Sequence, residues 1–414
     1  TYGLRIGGPI VKNKAFFFLN AEIQDDQTPR PFDVNSYIGN STAADLNGLE
    51  NFLQSEYGYD AGGYADQSST LKGTKILGRL DFNLGLNHKL TLRHSYNKGE
   101  SNSPGNSRTN SIRFGGTGIY FPSVTNSSAL ELKSTFGNSL SNNLIVGYTN
   151  VKDDRDPVGA AFPFVQIDDG SGNIQIGSEQ FSTANFLQQK IFTITDNFNI
   201  YKGKHTFTVG THLEFFDINN VFIRLNFGAY DYDNLADFLD NQNSSFSDFD
   251  RSFSLVDQTT GDDTEAAAKF KAMQLAFYAQ DEWQTSDNFK LNLGLRLDIP
   301  IFTTTPAQNQ YFNNTTTPLL EAQGYDLKGA TVGTAPKAAL MFSPRVGFNW
   351  NIDGEGDIKL RGGIGIFTSR IPLVWPGGMY NNNGITVGGT GPGTGTFNPD
   401  PLNQPNGGEK IPLP

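Results

Sequence analysis

The feature that most constrains the fold is an alternation of apolar and polar residues with a period of two. From Lys290 to Asp298, four leucines alternate with Asn, Gly, Arg and Asp. The same alternation recurs in residues 75–86, 89–96, 206–215 and 358–366. This period indicates β-strands with one apolar and one polar face. Strands of about nine or more residues are long for a soluble protein and match a tilted strand that crosses a bilayer.

The connections between these strands alternate between short and long. Short polar turns fall at Lys12-Asn13, Asn87-His88, 138–143, Lys202-Gly203, Ser286-Asp287 and 353–356, which predicts six hairpins and twelve strands. Long polar segments separate the hairpins at residues 27–71, 100–128, 154–186, 218–270 and 303–337, with the tail after Arg370 as a sixth. Outer-membrane barrels have tight periplasmic turns and extended extracellular loops. The sequence therefore predicts an all-β fold, an antiparallel transmembrane β-barrel.

Composition narrows the possible functions. The chain has 414 residues, no cysteine, four histidines and a formal net charge of −11. An acidic chain is a poor partner for phosphate backbones, so we expect no nucleic-acid binding. The lack of cysteine excludes disulfides and thiolate chemistry. No nucleophile–base arrangement or set of metal ligands is apparent, and we predict no enzyme, no cofactor and no metal site.

Aromatic residues stand beside the short turns, where a periplasmic interfacial girdle would lie. The predicted girdle residues are Phe198, Tyr201, Trp283, Phe289, Phe348 and Trp350. The alternative is that these rings fill the core of an ordinary β-sandwich near its edge. The strand lengths and the turn pattern favour the girdle.

The polar faces of the strands carry charges of both signs. The residues predicted to face the barrel lumen or a plug are Arg79, Asp81, Arg93, Glu131, Lys133, His212, Glu214, Arg296, Asp298, Arg345, Lys359 and Arg361. Facing lipid near the midplane, each Arg or Lys would cost about 2 to 4 kcal/mol, which decides the orientation of the strands. Mixed charge favours contact with a structured polar body such as a plug domain; the alternative is a merely hydrated wall.

Three shorter motifs have less specific interpretations. Gly362, Gly363 and Gly365 lie in a strand pattern, so we expect a close approach or bend in the wall and not a phosphate loop. Residues 168–173 faintly resemble a calcium loop, but a solvated loop tip is the preferred interpretation. Leu235, Phe238 and Leu239 have helical spacing, which predicts a short helix inside a long loop.

Several segments resemble a known family. Residues 7–18, 277–283 and 293–300 resemble the barrel of TonB-dependent receptors, and residues 342–348 and 360–367 narrow the resemblance to the Oar-like branch. Members of that branch carry a carboxypeptidase-regulatory-like N-terminal domain. The resemblance implies a 22-stranded barrel in the outer membrane of a Gram-negative bacterium, occluded by a plug and energised through TonB.

On this basis residues 1–414 are expected to be part of one barrel domain, with the N-terminal plug, the TonB box and the C-terminal strands outside the chain. The expected partners are outer-membrane lipid, the protein's own plug, TonB, and an unknown ligand of the extracellular loops and lumen. Members of the branch are associated with passage of peptides or proteins. Two alternatives stay open: a passive porin or scaffold for protein export or surface attachment, and a secreted all-β adhesin with no membrane.

Overall fold

Twelve long strands form one continuous sheet in the computed structural model, which describes residues 1–240, 245–390 and 395–405. Each strand pairs antiparallel with the next in chain order, as the sequence predicts. The strands are β1 (Tyr2–Val11), β2 (Ala15–Arg30), β3 (Gln67–Leu84), β4 (His88–Ser103), β5 (Ile119–Phe136), β6 (Leu140–Asp154), β7 (Asn185–Lys202), β8 (His205–Phe222), β9 (Ala268–Ser286), β10 (Phe289–Phe302), β11 (Met341–Asn351) and β12 (Lys359–Gly365).

Six short turns lie at one end of the sheet, at or next to the predicted positions; the turn predicted at 138–143 is shorter, because β6 begins at Leu140. The turn between β7 and β8 contains only Gly203 and Lys204, and Gly203 has a φ of +60° that a residue with a Cβ adopts at a cost. Asn13 takes the same left-handed region, with a φ of +62°, in the turn between β1 and β2. Turn residues of this kind keep the hairpins tight.

The strands extend further into the predicted long segments than the alternation indicates. Strands β3, β5, β7 and β8 each have 18 residues, and β9 has 19. At about 3.3 Å per residue, such a strand is roughly 60 Å long, which exceeds the span of about nine to eleven residues that a bilayer requires. The additional residues lie on the side of the long connections.

The register separates two faces of this sheet. Directly paired residues form an unbroken apolar row across eight strands: Leu80, Leu92, Leu130, Val146, Ile194, Leu213, Leu275 and Ile299. We call this side the apolar face and the opposite side the polar face. Leu293 and Leu295 on the apolar face are 39% and 50% exposed, so these leucines do not pack against a second sheet.

The sheet is an open wall in the part of the chain that the structure describes, since β1 and β12 each pair with only one neighbour. None of the described helices is long and apolar enough to span a membrane.

The long connections fold together into a cap. A second sheet takes Ser111–Arg113 from one connection, Phe164–Asp169 and Gly172–Ile176 from the next, and Ala229–Tyr232 and Asp248–Asp250 from a third. A further short pair, Ser252–Ser254 and Val387–Gly389, joins the third connection to the segment after β12. The cap is therefore built by strands far apart in the chain.

Helices complete the cap and the segments around it. They are α1 (Ala43–Tyr57), α2 (Leu235–Leu239), α3 (Thr317–Ala322) and α4 (Val374–Asn381). Helix α2 confirms the short helix predicted inside the fourth loop. Single turns at Val34–Ser36, Gly115–Thr117 and Phe312–Thr316 accompany them.

Helix α1 gives the cap its apolar core. Thr42 and Asp45 form a capping box at its start, and Gly58, with a φ of +64°, ends it. Leu46, Leu49 and Leu53 on one side of the helix are fully buried. They pack in a cluster that includes, from the other connections, Phe114, Ile167, Ile174, Tyr230, Phe238 and Phe397.

Candidate functional site

All twelve residues predicted to face the lumen lie on the polar face, as the pairing register shows. Arg79 opposes Arg93 across β3 and β4, and Arg296 and Arg345 follow the same alternation on β10 and β11. Many of the charges pair within one strand at a spacing of two residues. Residues two positions apart in a strand project from the same face, so their side chains can contact each other.

Arg79 and Asp81 form a bidentate ion pair on β3. The Arg79 Nε and Nη2 atoms each donate to the Asp81 carboxylate at 2.8 Å. Thr91 Oγ1 on β4 donates to the same carboxylate at 2.7 Å, and Lys89 Nζ lies 3.7 Å from it. Glu131 and Lys133 pair in the same way on β5, at 3.1 Å. This side of the polar face is a connected network of charges.

Arg296 and Asp298 form the most buried of these pairs. The guanidinium donates to both Asp298 oxygens at 2.9 Å, and the Asp298 side chain is only 3% exposed. Gln274 Nε2 donates to the same carboxylate at 3.2 Å, while the Arg296 guanidinium lies 5.6 Å from the centre of the Tyr278 ring. Side chains of the neighbouring strand β9 thus contact both the guanidinium and the carboxylate of this β10 pair.

Glu214 links the wall to the segment that follows β12. Arg370 Nη1 lies 3.1 Å from Glu214 Oε1, and the Arg370 guanidinium covers the Phe216 ring at 5.1 Å. His212 Nε2 is 3.8 Å from the same carboxylate, and its Nδ1 lies 2.7 Å from Thr195 Oγ1. The segment is therefore fixed against the polar face by charge.

Helix α4 lies against the polar face beyond this contact. The Tyr380 ring stacks on Phe270 of β9, with centroids 4.4 Å apart, and Gly377 allows the helix to approach Ala268 closely. Trp375, on the same helix, is 72% exposed. An exposed indole beside a charged wall is a residue suited to ligand or protein contact, and the sequence reasoning did not single it out.

Four predicted residues have no carboxylate partner among the described residues: Arg93, Arg345, Lys359 and Arg361. The Arg345 guanidinium instead lies 4.6 Å from the Phe367 ring. The paired residues neutralise one another, so these cations give the polar face its unbalanced positive charge.

The sequence reasoning also missed charged residues that complete the polar face. Lys290 on β10 bonds Glu282 on β9 at 2.6 Å, and Lys75 on β3 bonds Glu22 on β2 at 2.8 Å. The period-two pattern of the sequence places these four residues on the polar face. It does not predict which of them pair across strands, because that depends on the register between the strands.

The predicted girdle residues divide between the faces. Phe198, Trp283, Phe289, Phe348 and Trp350 lie on the apolar face near the short turns, where Phe289 and Phe348 stack with centroids 5.9 Å apart. Tyr201 lies on the polar face, and its hydroxyl is 3.0 Å from Ser141 Oγ. Tyr201 and Phe198 lie on opposite faces because Tyr201 is three positions further along the strand, and an odd spacing reverses the face.

The glycine motif lies in strand β12, as expected. A Cβ on Gly363 would be 2.9 Å from the Val346 carbonyl oxygen, and one on Gly362 would meet the Phe348 ring at 2.7 Å. These glycines permit close approach between β11 and β12.

Residues 168–173 form the tip of a hairpin between two cap strands, with Gly172 paired to Asp169 and Asn173 paired to Asp168. Asp169 is buried and accepts hydrogen bonds from the Tyr37 hydroxyl, the Ser41 amide and the Ser41 hydroxyl, each at 3.0 Å. This carboxylate ties residues 31–66, between β2 and β3, to residues 155–184, between β6 and β7. Burial and the bond to Asp169 raise the pKa of Tyr37.

A cluster of three carboxylates lies where the wall meets the cap. Oxygens of Asp154, Asp156 and Asp262 all lie within 4.8 Å of one another. Burial, the hydrogen bond with Asp154 and the neighbouring negative charges raise the pKa of Asp262 to about 7. Burial and the charge of Asp154 also raise the pKa of Asp156. Oxygen donors of this kind are those that Ca²⁺ or Mg²⁺ would use.

A wall with one lipid-compatible face, short turns at one end and a folded cap at the other defines a membrane β-barrel. The chain belongs to the outer membrane beta barrel domain family, whose sequence profile matches residues 34–412. The protein is accordingly placed in the outer membrane of a Gram-negative bacterium. A search of curated proteins finds no sequence match.

Solved structures with a similar fold include the outer membrane transporter YddB from Escherichia coli, at 12% identity and a TM-score of 0.49. Another is the siderophore receptor PirA from Acinetobacter baumannii, at 14% identity and a TM-score of 0.48. Each alignment covers 88% of this chain but only 37% and 39% of the respective structure. The chain spans less than half the length of these proteins.

Proposed function

We propose that this chain is part of the wall of a TonB-dependent outer-membrane receptor of the Oar-like branch, which imports a ligand bound at its extracellular cap and lumen. The observation that carries the proposal is the cap: four connections and the segment after β12 contribute to one buried core above a charged polar face. Loops that merely surround the mouth of a hydrated pore do not need a shared apolar core. A receptor needs a surface that is already ordered before its ligand binds. The segment resemblance to TonB-dependent receptors supports the same interpretation.

The polar face is proposed to contact a plug domain. Arg93, Arg345, Lys359 and Arg361 lack carboxylate partners in the described chain, and unpaired cations favour acidic groups supplied by another body. The ion-paired residues around them, such as Arg79 with Asp81, would provide a rigid surface. In this proposal the twelve strands belong to a 22-stranded barrel whose remaining strands and plug lie outside residues 1–414.

The cap and the exposed Trp375 are proposed to form the ligand surface. Tyr and Trp side chains provide a large contact area at low entropic cost. The size of the cap favours a ligand with an extended surface, in agreement with the peptide or protein suggested by the branch resemblance. We expect no catalysis and no resident cofactor.

Reconstitution of the intact protein into proteoliposomes tests the transport proposal. A barrel filled by a plug should give no swelling in isotonic arabinose or stachyose, whereas a passive porin would give rapid swelling that depends on sugar size. A second assay measures binding of purified TonB periplasmic domain to the intact protein. Swelling like that of a porin, or no TonB binding by a correctly folded protein, would overturn the proposal.

A further inference from the structure

A polar patch lies at the middle of the apolar face. On β7 the residues of this face run from Lys190 to Lys202, and Asp196 lies midway, six residues from each lysine. The other residues of β7 on this face between the lysines are Phe192, Ile194, Phe198 and Ile200. Thr211 of β8 pairs directly with Asp196. A carboxylate and a hydroxyl therefore lie side by side near the middle of the band that hydrocarbon covers.

The Asp196 carboxylate has a single hydrogen-bond donor in the described part of the chain. Asn142 Nδ2 of β6 donates to Asp196 Oδ1 at 2.6 Å and also lies 3.4 Å from the Asn197 carbonyl oxygen. The hydroxyl of Thr211 donates to the Ala276 carbonyl oxygen at 3.0 Å and not to the carboxylate. Among the described residues, the second oxygen of Asp196, Oδ2, thus accepts no hydrogen bond.

Lipid does not supply the missing donor. Acyl chains have no hydrogen-bonding groups, and ionisable side chains at membrane depth are costly unless another group pairs with them. A second polar pair on the same face has no such deficit, because His94 Nδ1 and Ser128 Oγ lie 2.8 Å apart across β4 and β5. At this depth the donor for Asp196 has to come from a second membrane-spanning protein.

We propose that Asn142, Asp196 and Thr211, together called the midplane patch, form the contact between two copies of this protein related by a two-fold axis. A two-fold contact brings the same surface of both copies together, so it requires a self-complementary patch. The midplane patch meets this requirement, because the carboxylate oxygen that lacks a donor lies beside a hydroxyl whose hydrogen is free to rotate. In the dimer, Thr211 of each copy donates to Asp196 of the other, so one contact supplies both donors.

Apolar side chains surround the midplane patch and are covered in the proposed dimer. Val209, two residues from Thr211 on β8, is 54% exposed, and Phe277 of β9, which pairs with Thr211, is 48% exposed. A membrane interface gains little from burying such groups, since lipid is equally apolar. The hydrogen bonds of the midplane patch therefore decide which surfaces meet.

Sedimentation equilibrium of the intact protein in density-matched micelles tests the proposal by measuring the dissociation constant of the dimer. We expect the native protein to dimerise and Thr211→Val to weaken the dimer at least about tenfold, because this change removes one hydrogen bond from each copy and keeps the side-chain shape. Thr211→Ser keeps the hydroxyl and should dimerise like the native protein. Thr74→Val, the same substitution on the same face of β3, is the matched control and should leave the dimer unchanged.

Cysteine crosslinking in native outer membranes gives a second measurement, since the chain has no cysteine of its own. Val209→Cys lies beside the midplane patch and should form a dimer with a short bismaleimide, whereas Leu295→Cys, on the same face of β10, should not. Heat-modifiable mobility on gels verifies that each variant is folded. A native protein that stays monomeric in micelles, or a Thr211→Val dimer as tight as the native one, would overturn the proposal. Neither measurement involves TonB or solute uptake, so the result is independent of the proposed transport function.

Discussion

Asn142 donates a hydrogen bond of 2.6 Å from its Nδ2 to Asp196 Oδ1 on the apolar face, between strands β6 and β7. Asp196 pairs directly with Leu144 and Thr211 in the register, so its carboxylate lies within the apolar band. A carboxylate here requires a partner, because lipid supplies no hydrogen-bond donor. The pair lies among apolar neighbours, as does the contact between His205 and Asp281 on the same face.

Replacing Asn142 by Leu should therefore destabilise the wall by about 1 to 3 kcal/mol, since it leaves Asp196 without its donor. The double variant Asn142→Leu/Asp196→Leu should recover that loss, because it restores the apolar alternation. Guanidinium unfolding of the intact protein in micelles measures both effects. A double variant less stable than Asn142→Leu would contradict this account of the pair.

The buried pair of Arg296 and Asp298 gives a second prediction. Asp298→Ala leaves the guanidinium without its carboxylate, and we expect a loss of about 1 to 3 kcal/mol in the free energy of unfolding, discounted for the partial exposure of Arg296. The matched control is Glu131→Ala, whose partner Lys133 has a side chain 59% exposed. Surface pairs of that kind contribute less than about 1 kcal/mol. Similar losses for the two variants would show that burial does not decide the strength of these pairs.

The apolar core of the cap can be tested independently of the wall. Leu49→Ala removes a fully buried side chain of α1, which typically costs about 2 to 5 kcal/mol. We expect faster protease cleavage within residues 31–66 while the wall keeps its heat-modifiable mobility on gels. Asn51→Ala, on the exposed side of the same helix, is the control. Cleavage unchanged by the Leu49 substitution would show that the cap does not depend on this core.

The carboxylate cluster predicts a pH dependence of the cap. The pKa of Asp262 in the folded protein is about 7, well above the ordinary value near 3.9. Between these two pH values, Asp262 is therefore protonated in the folded protein and ionised in the unfolded chain. Cap stability should therefore fall as pH rises from about 4 to 7 and stay low above it. Hydrogen exchange in residues 155–184 at pH 5 and pH 8 measures the change.

Asp262→Asn provides the control, because it removes the titrating carboxylate and keeps the side-chain shape. In that variant the difference in exchange between pH 5 and pH 8 should be reduced. An equal difference in the variant and the native protein would assign the pH dependence to other groups.

The period-two pattern was sufficient to predict the wall. The four leucines of β10 fix both its strand character and its orientation, and the short turns fix the order of the twelve strands. All twelve predicted lumen residues share one face because alternation is a local property. The same rule places Tyr201, at an odd spacing from Phe198, on the opposite face from that residue.

The cap could not be predicted in the same way. Its sheet joins strands from three connections, and nothing local to Ser111–Arg113 indicates that it pairs in parallel with Gly172–Ile176. Asp262 likewise reaches Asp154 and Asp156 only through tertiary folding. Helix α1 is different: the capping box of Thr42 and Asp45 and the spacing of Leu46, Leu49 and Leu53 were present in the sequence and were not used.

The hydroxyl of Tyr230 donates to Gln404 Oε1 across 174 residues of chain, and Phe397 lies in the same apolar cluster as helix α1. Contacts of such long sequence separation form late, because the intervening chain must be ordered first. Phe397 follows all twelve strands in the chain, so this cluster can be completed only after the whole described wall has been synthesised. The integrity of the cap core thus depends on residues made after the last described strand.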